Sequence, residues 1–160
     1  MLRISKMADY GTIILTTMAN EPERTRSVAE IGSVTGLPVP SVSKILKILV
    51  RERIVLSLRG TKGGYKLSRP PAEISTAQIL NAIDGPLGMT ECSVTPGLCS
   101  HETSCQVRSH WQMVNRVVLQ ALDQITLKQM IQPVVETVAL SVIRPSLGAS
   151  RSAVSLGELS

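Results

Sequence analysis

Residues 27–51 read SVAEIGSVTGLPVPSVSKILKILVR, and this stretch decides the fold. Ser27 followed by Glu30 is a capping box, which predicts the start of a short helix. Gly36 is suited to the left-handed C-terminal cap of that helix. A second helix follows a tight turn, and Pro40 stands in its first turn, where proline is tolerated. The pattern predicts a helix-turn-helix, the motif that places its second helix in the major groove of DNA.

The second of these helices has an apolar face and a polar, basic face. Its apolar residues recur at helical spacing and predict a buried stripe: Val42, Ile45, Leu46 and Leu49. Its other faces carry the residues that we expect to contact DNA: Ser41, Ser43, Lys44, Lys47 and Arg51. Basic side chains suit phosphates, whereas the serines near the N-terminal end are placed to read base edges. Short three-helix cores also occur without DNA binding, so this pattern alone leaves both interpretations open.

A glycine-rich hairpin follows the helix-turn-helix. Residues 54–58 and 65–68 have the composition of two strands, and the run RGTKGG at residues 59–64 permits a tight turn with positive φ angles. A phosphate-binding loop of a nucleotide enzyme would open a helix, whereas this run returns as a strand. We therefore predict a wing whose tip reaches a phosphate or a narrow minor groove. Its expected DNA contacts are Arg59, Lys62 and Gly63.

The remaining elements complete a mainly α-helical fold with a small β wing. A helix from about residue 5 to 20 precedes the motif, and apolar residues repeat at helical spacing from Trp111 to Ile125. We predict four parts along the chain. They are a winged helix-turn-helix domain (1–70), a short helix with a cysteine loop (71–107), a dimerisation helix with a short terminal helix (108–132), and a mostly disordered tail (133–160).

The charge distribution favours duplex DNA as the partner. Residues 1–70 carry a net charge of +7, whereas residues 71–160 carry −2. A basic half is a candidate surface for a polyanion, although a merely solvated basic face is the alternative. The chain has no Phe and few other aromatic residues. It therefore lacks the stacking platforms that single-strand and RNA binders use.

Several classes of protein are not supported by the sequence. It has no Ser/His/Asp arrangement at a strand-turn-helix elbow and no Cys-x-x-Cys pair, so we do not expect an enzyme. The first twenty residues do not resemble a signal peptide, and no apolar run is long enough to cross a bilayer. We therefore expect a cytoplasmic protein with no membrane partner.

The three cysteines of the chain lie together between residues 91 and 106: Cys92, Cys99 and Cys105. Thiolates favour zinc, copper(I) or iron–sulfur clusters. Zinc ligands are usually separated by two to four residues, whereas six and five residues separate these cysteines. The wider spacing favours a cluster, 2Fe–2S or 4Fe–4S, on a flexible loop. Zinc and unliganded thiols remain the alternatives.

The wing and the cysteines together resemble a known family. Residues 59–67, RGTKGGYKL, followed by three spaced cysteines, are similar to the IscR/NsrR family of iron–sulfur transcription regulators. The resemblance runs over about residues 1–132 and includes DQITL at residues 123–127. It implies a homodimer on a palindromic operator, with the cluster state controlling DNA affinity. The branch that regulates SUF-type cluster assembly is the nearest, which implies a repressor. A zinc- or thiol-based repressor and a nitric-oxide-sensing repressor on the same scaffold are the alternatives.

The fourth cluster ligand departs from the family pattern. IscR-type members have a histidine three residues after the last cysteine, where this chain has Arg108, and His110 follows two residues later. NsrR-type members use an aspartate at the start of the first helix. Asp9 matches that place, so the resemblance implies Asp9 of the partner subunit as fourth ligand. His110, Glu91, His101 or an exogenous ligand are the alternatives. Asp9 could otherwise simply stabilise the helix dipole.

Overall fold

The structure is a computed structural model that describes residues 4–61, 63–94, 97, 99–100 and 104–133, with the backbone alone for residues 91 and 92. This part of the chain is mainly α-helical with one two-stranded sheet, as predicted. The helices are α1 (Lys6–Ala19), α2 (Val28–Thr35), α3 (Val39–Arg51), α4 (Thr76–Asp84), α5 (Glu91–Val94), α6 (Arg108–Gln124) and α7 (Leu127–Met130). The strands are β1 (Val55–Leu58) and β2 (Gly64–Leu67), and a 3₁₀ turn spans Pro71–Glu73. The predicted tail lies outside the described residues beyond Pro133.

The predicted helix ends are confirmed at the motif. The backbone N–H of Ser27 donates to the Glu30 carboxylate over 2.8 Å, and the Glu30 N–H donates to the Ser27 hydroxyl over 3.2 Å. These two bonds satisfy N–H groups that have no partner within a helix. At the other end, Gly36 has φ of +70° and forms the left-handed cap. Local sequence therefore determines where α2 begins and ends.

The hydrophobic core lies among α1, α2, α3, the wing and the elements that follow it. Its fully buried side chains in the first three helices include Ile14, Leu15, Ile31, Ile45, Leu46 and Leu49. Ile74, Ile79 and Leu127 belong to the same cluster, so the core continues past residue 70. No single described helix is long and apolar enough to cross a bilayer. Helices α2 and α3 taken together have the length and apolar composition of a span, but they are bent by 117° relative to each other.

The second strand of the wing is anchored to the α1–α2 connection. The strands pair in antiparallel register, Val55 with Leu67 and Leu58 with Gly64. The backbone of Arg26 extends this ladder, because its N–H donates to the Tyr65 carbonyl over 2.9 Å and its carbonyl accepts from the Tyr65 N–H over 2.8 Å. The hairpin is therefore held in place at Tyr65, one residue after the glycine-rich turn.

The start of α4 is joined to the end of α6. The Ser75 hydroxyl caps α4 and donates to the Asp123 carboxylate over 2.6 Å. The Thr76 N–H donates to the Ile125 carbonyl, and the Leu127 N–H donates to the Ile74 carbonyl, each over 2.8 Å. These bonds fix the C-terminal end of α6 on the core of the winged domain.

The cysteine segment differs from the prediction in one respect. The sequence analysis predicts a loop throughout residues 91–106, but residues 91–94 form the short helix α5. The Ser93 N–H donates to the Thr90 carbonyl over 3.0 Å, and the two hydroxyls lie 2.7 Å apart. One helical turn is too short to produce an apolar period in the sequence, which is why the prediction was wrong here.

Candidate nucleic-acid interface and cysteine segment

The polar face of α3 has the character that the sequence predicts. Lys44 and Lys47 are exposed, and among the described residues neither side chain has an ion-pair partner. Ser41 and Ser43 are half-buried at the start of the helix. Arg51 differs, since its Nε donates to the Glu52 carboxylate over 2.9 Å. An exposed pair of this kind contributes little to stability, but it partly neutralises Arg51 as a phosphate ligand.

The tip of the wing presents Arg59 to solvent. Arg59 is exposed and pairs with no carboxylate in the part of the chain that the structure describes. The tip is tight, because the Gly63 N–H donates to the Gly60 carbonyl over 2.9 Å. A Cβ at Gly63 would lie 2.5 Å from the Leu58 carbonyl oxygen, so a side chain cannot be accommodated without backbone movement. Lys62, also predicted to contact DNA, lies outside the described residues.

A cavity between α1 and α3 has no signal in the sequence. Lys6 and Tyr10 of α1 line it together with Ser41 and Lys44 of α3. Lys6 has no feature in the sequence that separates it from any other lysine. Only the packing of the two helices brings it next to the predicted DNA-binding face.

The described cysteines are free thiols. Cys99 and Cys105 are both half-buried, and neither is in a disulfide. The side chains of Cys92 and Glu91, and all of His101, lie outside the described residues. Among the side chains that are described, no group of three His, Cys, Asp or Glu residues is placed to hold a metal ion. One described protomer therefore does not bring Asp9 or His110 together with Cys99 and Cys105.

Asp9 and His110 are both accessible. Asp9 is exposed in the first turn of α1, and its backbone N–H donates to the Ser5 carbonyl over 3.0 Å. Its carboxylate has no hydrogen bond or ion pair with the described residues. It faces an open pocket of about 510 Å³, which Ile4, Ser5 and Lys6 also line. His110 is exposed in the first turn of α6.

Helix α6 leaves much of its apolar surface uncovered. Only Asn115 is buried along its length, and the Asn115 side-chain oxygen accepts a hydrogen bond from the Met89 N–H over 3.1 Å. The exposed apolar side chains include Trp111, Met113 and Val117, which are 40–51% accessible. Met113 and Val117 are four residues apart and share one side of the helix, whereas Trp111 lies about 120–160° away around the helix axis. Neighbouring exposed apolar side chains of this kind are a candidate protein–protein contact.

Comparison with known proteins identifies this arrangement. Residues 4–133 match the Rrf2 family, which is described as iron-dependent transcriptional regulators. The chain belongs to the Rrf2 family. This Rrf2 protein is 28% identical over 137 residues to an rrf2-like HTH-type transcriptional regulator from Rhodobacter capsulatus. The aligned region covers 80% of this chain and 91% of the relative. An HTH-type transcriptional regulator from Mycobacterium tuberculosis is 37% identical over 87 residues, 54% of each chain.

Two solved structures support the same fold. CymR, the global cysteine regulator of B. subtilis, has a TM-score of 0.64 and 26% identity, and the match covers 82% of this chain and 97% of CymR. IscR of T. potens has a TM-score of 0.62 and 27% identity, with 81% and 86% covered. The predicted resemblance to IscR-type regulators is thus confirmed. This Rrf2 protein is a DNA-binding transcription regulator and not an enzyme, as the sequence predicts.

Proposed function

We propose that this Rrf2 regulator senses an iron–sulfur cluster and, when the cluster is bound, represses genes of SUF-type cluster assembly. The observation that carries the proposal is the donor set: three cysteines in one short segment, of which the two described are free, half-buried thiols. Soft thiolates are the usual ligands of iron–sulfur clusters, whereas magnesium and calcium sites use hard oxygen donors. Cys92, Cys99 and Cys105 would hold the cluster. The bound cluster would cross-link these three positions of the segment, and its oxidation would break the link.

Helix α6 supports a homodimer through the exposed apolar side chains of Met113 and Val117. Its apolar side chains lose contact with water only if a second surface covers them, and two copies of one helix can do so around a two-fold axis. A two-fold dimer binds a palindromic operator, with one α3 in each half-site. The carboxylate of Asp9, which has no partner in its own described chain, could then complete the cluster site of the other protomer. Asp9 is the fourth ligand in this proposal, and His110 is the alternative.

A path for coupling runs from the cysteine segment to both halves of the molecule. Asp84, the last residue of α4, accepts hydrogen bonds from the backbone N–H and the hydroxyl of Ser5, which caps α1. Met89, just before α5, is held to Asn115 of α6. Ordering the segment around a cluster would therefore act on α6 through Met89, and it would reach the start of α1 only through the chain between Asp84 and Glu91. Couplings between sites are typically about 1–3 kcal/mol.

The cluster is tested by anaerobic purification. We expect brown protein with iron and acid-labile sulfide, and Mössbauer spectra then distinguish 2Fe–2S from 4Fe–4S. Serine in place of Cys92, Cys99 or Cys105 should give folded protein that retains no stable cluster after desalting. Ser93→Ala, in the same segment, is the control and should keep its iron. Colourless wild-type protein with one zinc per chain, or cysteine variants with full iron and sulfide, would contradict the proposal.

A thiol-based repressor is the second candidate. It is favoured by the similarity to CymR, the cysteine regulator, and by the two free thiols of Cys99 and Cys105. In that case, metal-free protein should lose or gain operator affinity on treatment with a mild oxidant and recover with a thiol reductant. An iron–sulfur sensor should show its main change in affinity on cluster loss instead.

A further inference from the structure

The cavity between α1 and α3 has a basic rim. It has a volume of about 340 Å³, and its lining includes Lys6, Lys44 and Ser41. No carboxylate lines it, and neither lysine forms an ion pair with a described residue. Two ammonium groups without ion pairs on one small cavity favour an anionic occupant, although Asp9 lies on the neighbouring pocket that Lys6 also lines.

The Lys6 ammonium is held at this rim by its neighbour. Its nitrogen lies 5.5 Å from the centroid of the Tyr10 ring, within the range of a cation–π interaction. Tyr10 is itself half-buried and packs against the hydrophobic core. A lysine side chain normally samples many rotamers, and the contact with a fixed ring reduces the entropy lost when the ammonium binds a ligand.

Part of the cavity lining is apolar. Met7 and Ile45 form part of it, together with the Tyr10 ring. Free phosphate is polar throughout, so an apolar surface does not strengthen its binding. A sugar–phosphate segment matches both parts of the lining, because its phosphate is anionic and the carbons of its deoxyribose are apolar.

We infer that this cavity binds the DNA backbone, so that the first turn of α1 is a third DNA-contacting element beside α3 and the wing. The inference rests on α3 lying against DNA. Ser41 and Lys44 belong both to the polar face of α3 and to the lining of the cavity, so a duplex seated on α3 passes its mouth. The contact is to phosphate and sugar, and it therefore contributes affinity and orientation without reading sequence.

The test is the salt dependence of DNA binding by Lys6→Gln, measured on the full chain with the operator and with an unrelated duplex. One lost phosphate contact lowers the slope of log K against log salt by about 0.9 per protomer, or about 1.8 for a dimer. We expect this change for both duplexes to the same extent. Lys6→Arg retains the positive charge and should therefore keep most of the wild-type slope. Lys128→Gln, an exposed lysine of α7 outside the cavity, is the matched control and should bind like wild type.

The outcomes separate this inference from the proposed function. If wild type binds DNA and Lys6→Gln has the wild-type slope and affinity, the inference is wrong while the regulator role stands. If Lys44→Gln also leaves both unchanged, the placement of α3 on DNA fails with it. A calorimetric titration with inorganic phosphate alone should show no saturable binding. Saturable binding that Lys6→Gln abolishes, with an unchanged DNA slope, would assign the cavity to a free anion and overturn the inference.

Discussion

Ser75→Ala tests how the winged domain is joined to α6. The Ser75 hydroxyl is buried and has two roles: it accepts a hydrogen bond from the Gln78 N–H over 3.2 Å and donates to the Asp123 carboxylate over 2.6 Å. Alanine removes both bonds while leaving the backbone bridge between Ser75 and Thr126 in place. The substitution should therefore weaken the junction without abolishing it.

The expected loss of stability is the sum of a cap and a charge-assisted hydrogen bond. Replacing an N-cap serine with alanine typically costs about 1 kcal/mol. A hydrogen bond to a charged group contributes about 1.5–3 kcal/mol. We take about 1 kcal/mol for it, because Asp123 is exposed and water can solvate the carboxylate once the hydroxyl is gone. The total is about 2 kcal/mol, which lowers Tm by about 4–8 °C in a chain of this length.

The assay is urea unfolding of cluster-free protein at one fixed concentration, because dimerisation makes stability depend on concentration. Asp123→Asn and the double variant complete a cycle, whose coupling energy should be about 1 kcal/mol. Ser33→Ala is the control, since Ser33 is exposed on α2 and makes no side-chain hydrogen bond in the described part of the chain. Its stability should change by less than about 0.5 kcal/mol. If Ser75→Ala is as stable as Ser33→Ala, or if the cycle gives zero coupling, the junction is not held as described.

Three further predictions concern the cluster, the operator and pH. Asp9→Ala should still assemble a cluster but shift its spectrum and lose it faster, whereas His110→Ala should behave like wild type; the opposite ranking by anaerobic absorption would move the fourth ligand to His110. Lys44→Ala should weaken binding to all duplexes, whereas Ser41→Ala and Ser43→Ala should change which operators are preferred in a binding-site selection; uniform loss from the serine variants would exclude base readout. The Ser27 backbone N–H, followed by the Ser27 hydroxyl, lowers the pKa of Glu30 below its ordinary value of 4.5. The stability that the ionised Glu30 carboxylate contributes is therefore present above about pH 4.5 and is lost as the pH falls through the lowered pKa. Glu30→Gln should make the midpoints of unfolding depend less on pH in that acidic range.

The elements that could be predicted from the sequence are those with local signals. The capping box at Ser27 joins residues only three positions apart, and it is formed in the structure. The wing followed in the same way from two short strands around a glycine-rich turn. Such patterns are determined by neighbouring residues, so they can be recognised before the tertiary fold is known.

The features that could not be predicted depend on contacts between distant parts of the chain. The Ser75–Asp123 hydrogen bond joins residues 48 positions apart, and nothing near either residue indicates the other. The cation-lined cavity likewise requires the packing of α1 on α3 before Lys6 can be distinguished from other lysines. The fourth cluster ligand is harder still, since Asp9 would reach the site only from a second subunit.

The central proposal is that cluster binding at the cysteine segment changes the DNA affinity of the winged domain. The most direct measurement is a titration of one SUF-type operator with holo protein and with apo protein at the same salt concentration, accompanied by footprints of both. We predict that the holo form binds at least about 5-fold more tightly, corresponding to a coupling of about 1 kcal/mol or more. Equal affinities and identical footprints would contradict the proposal, because the cysteine segment would then have a structural role and no sensing role.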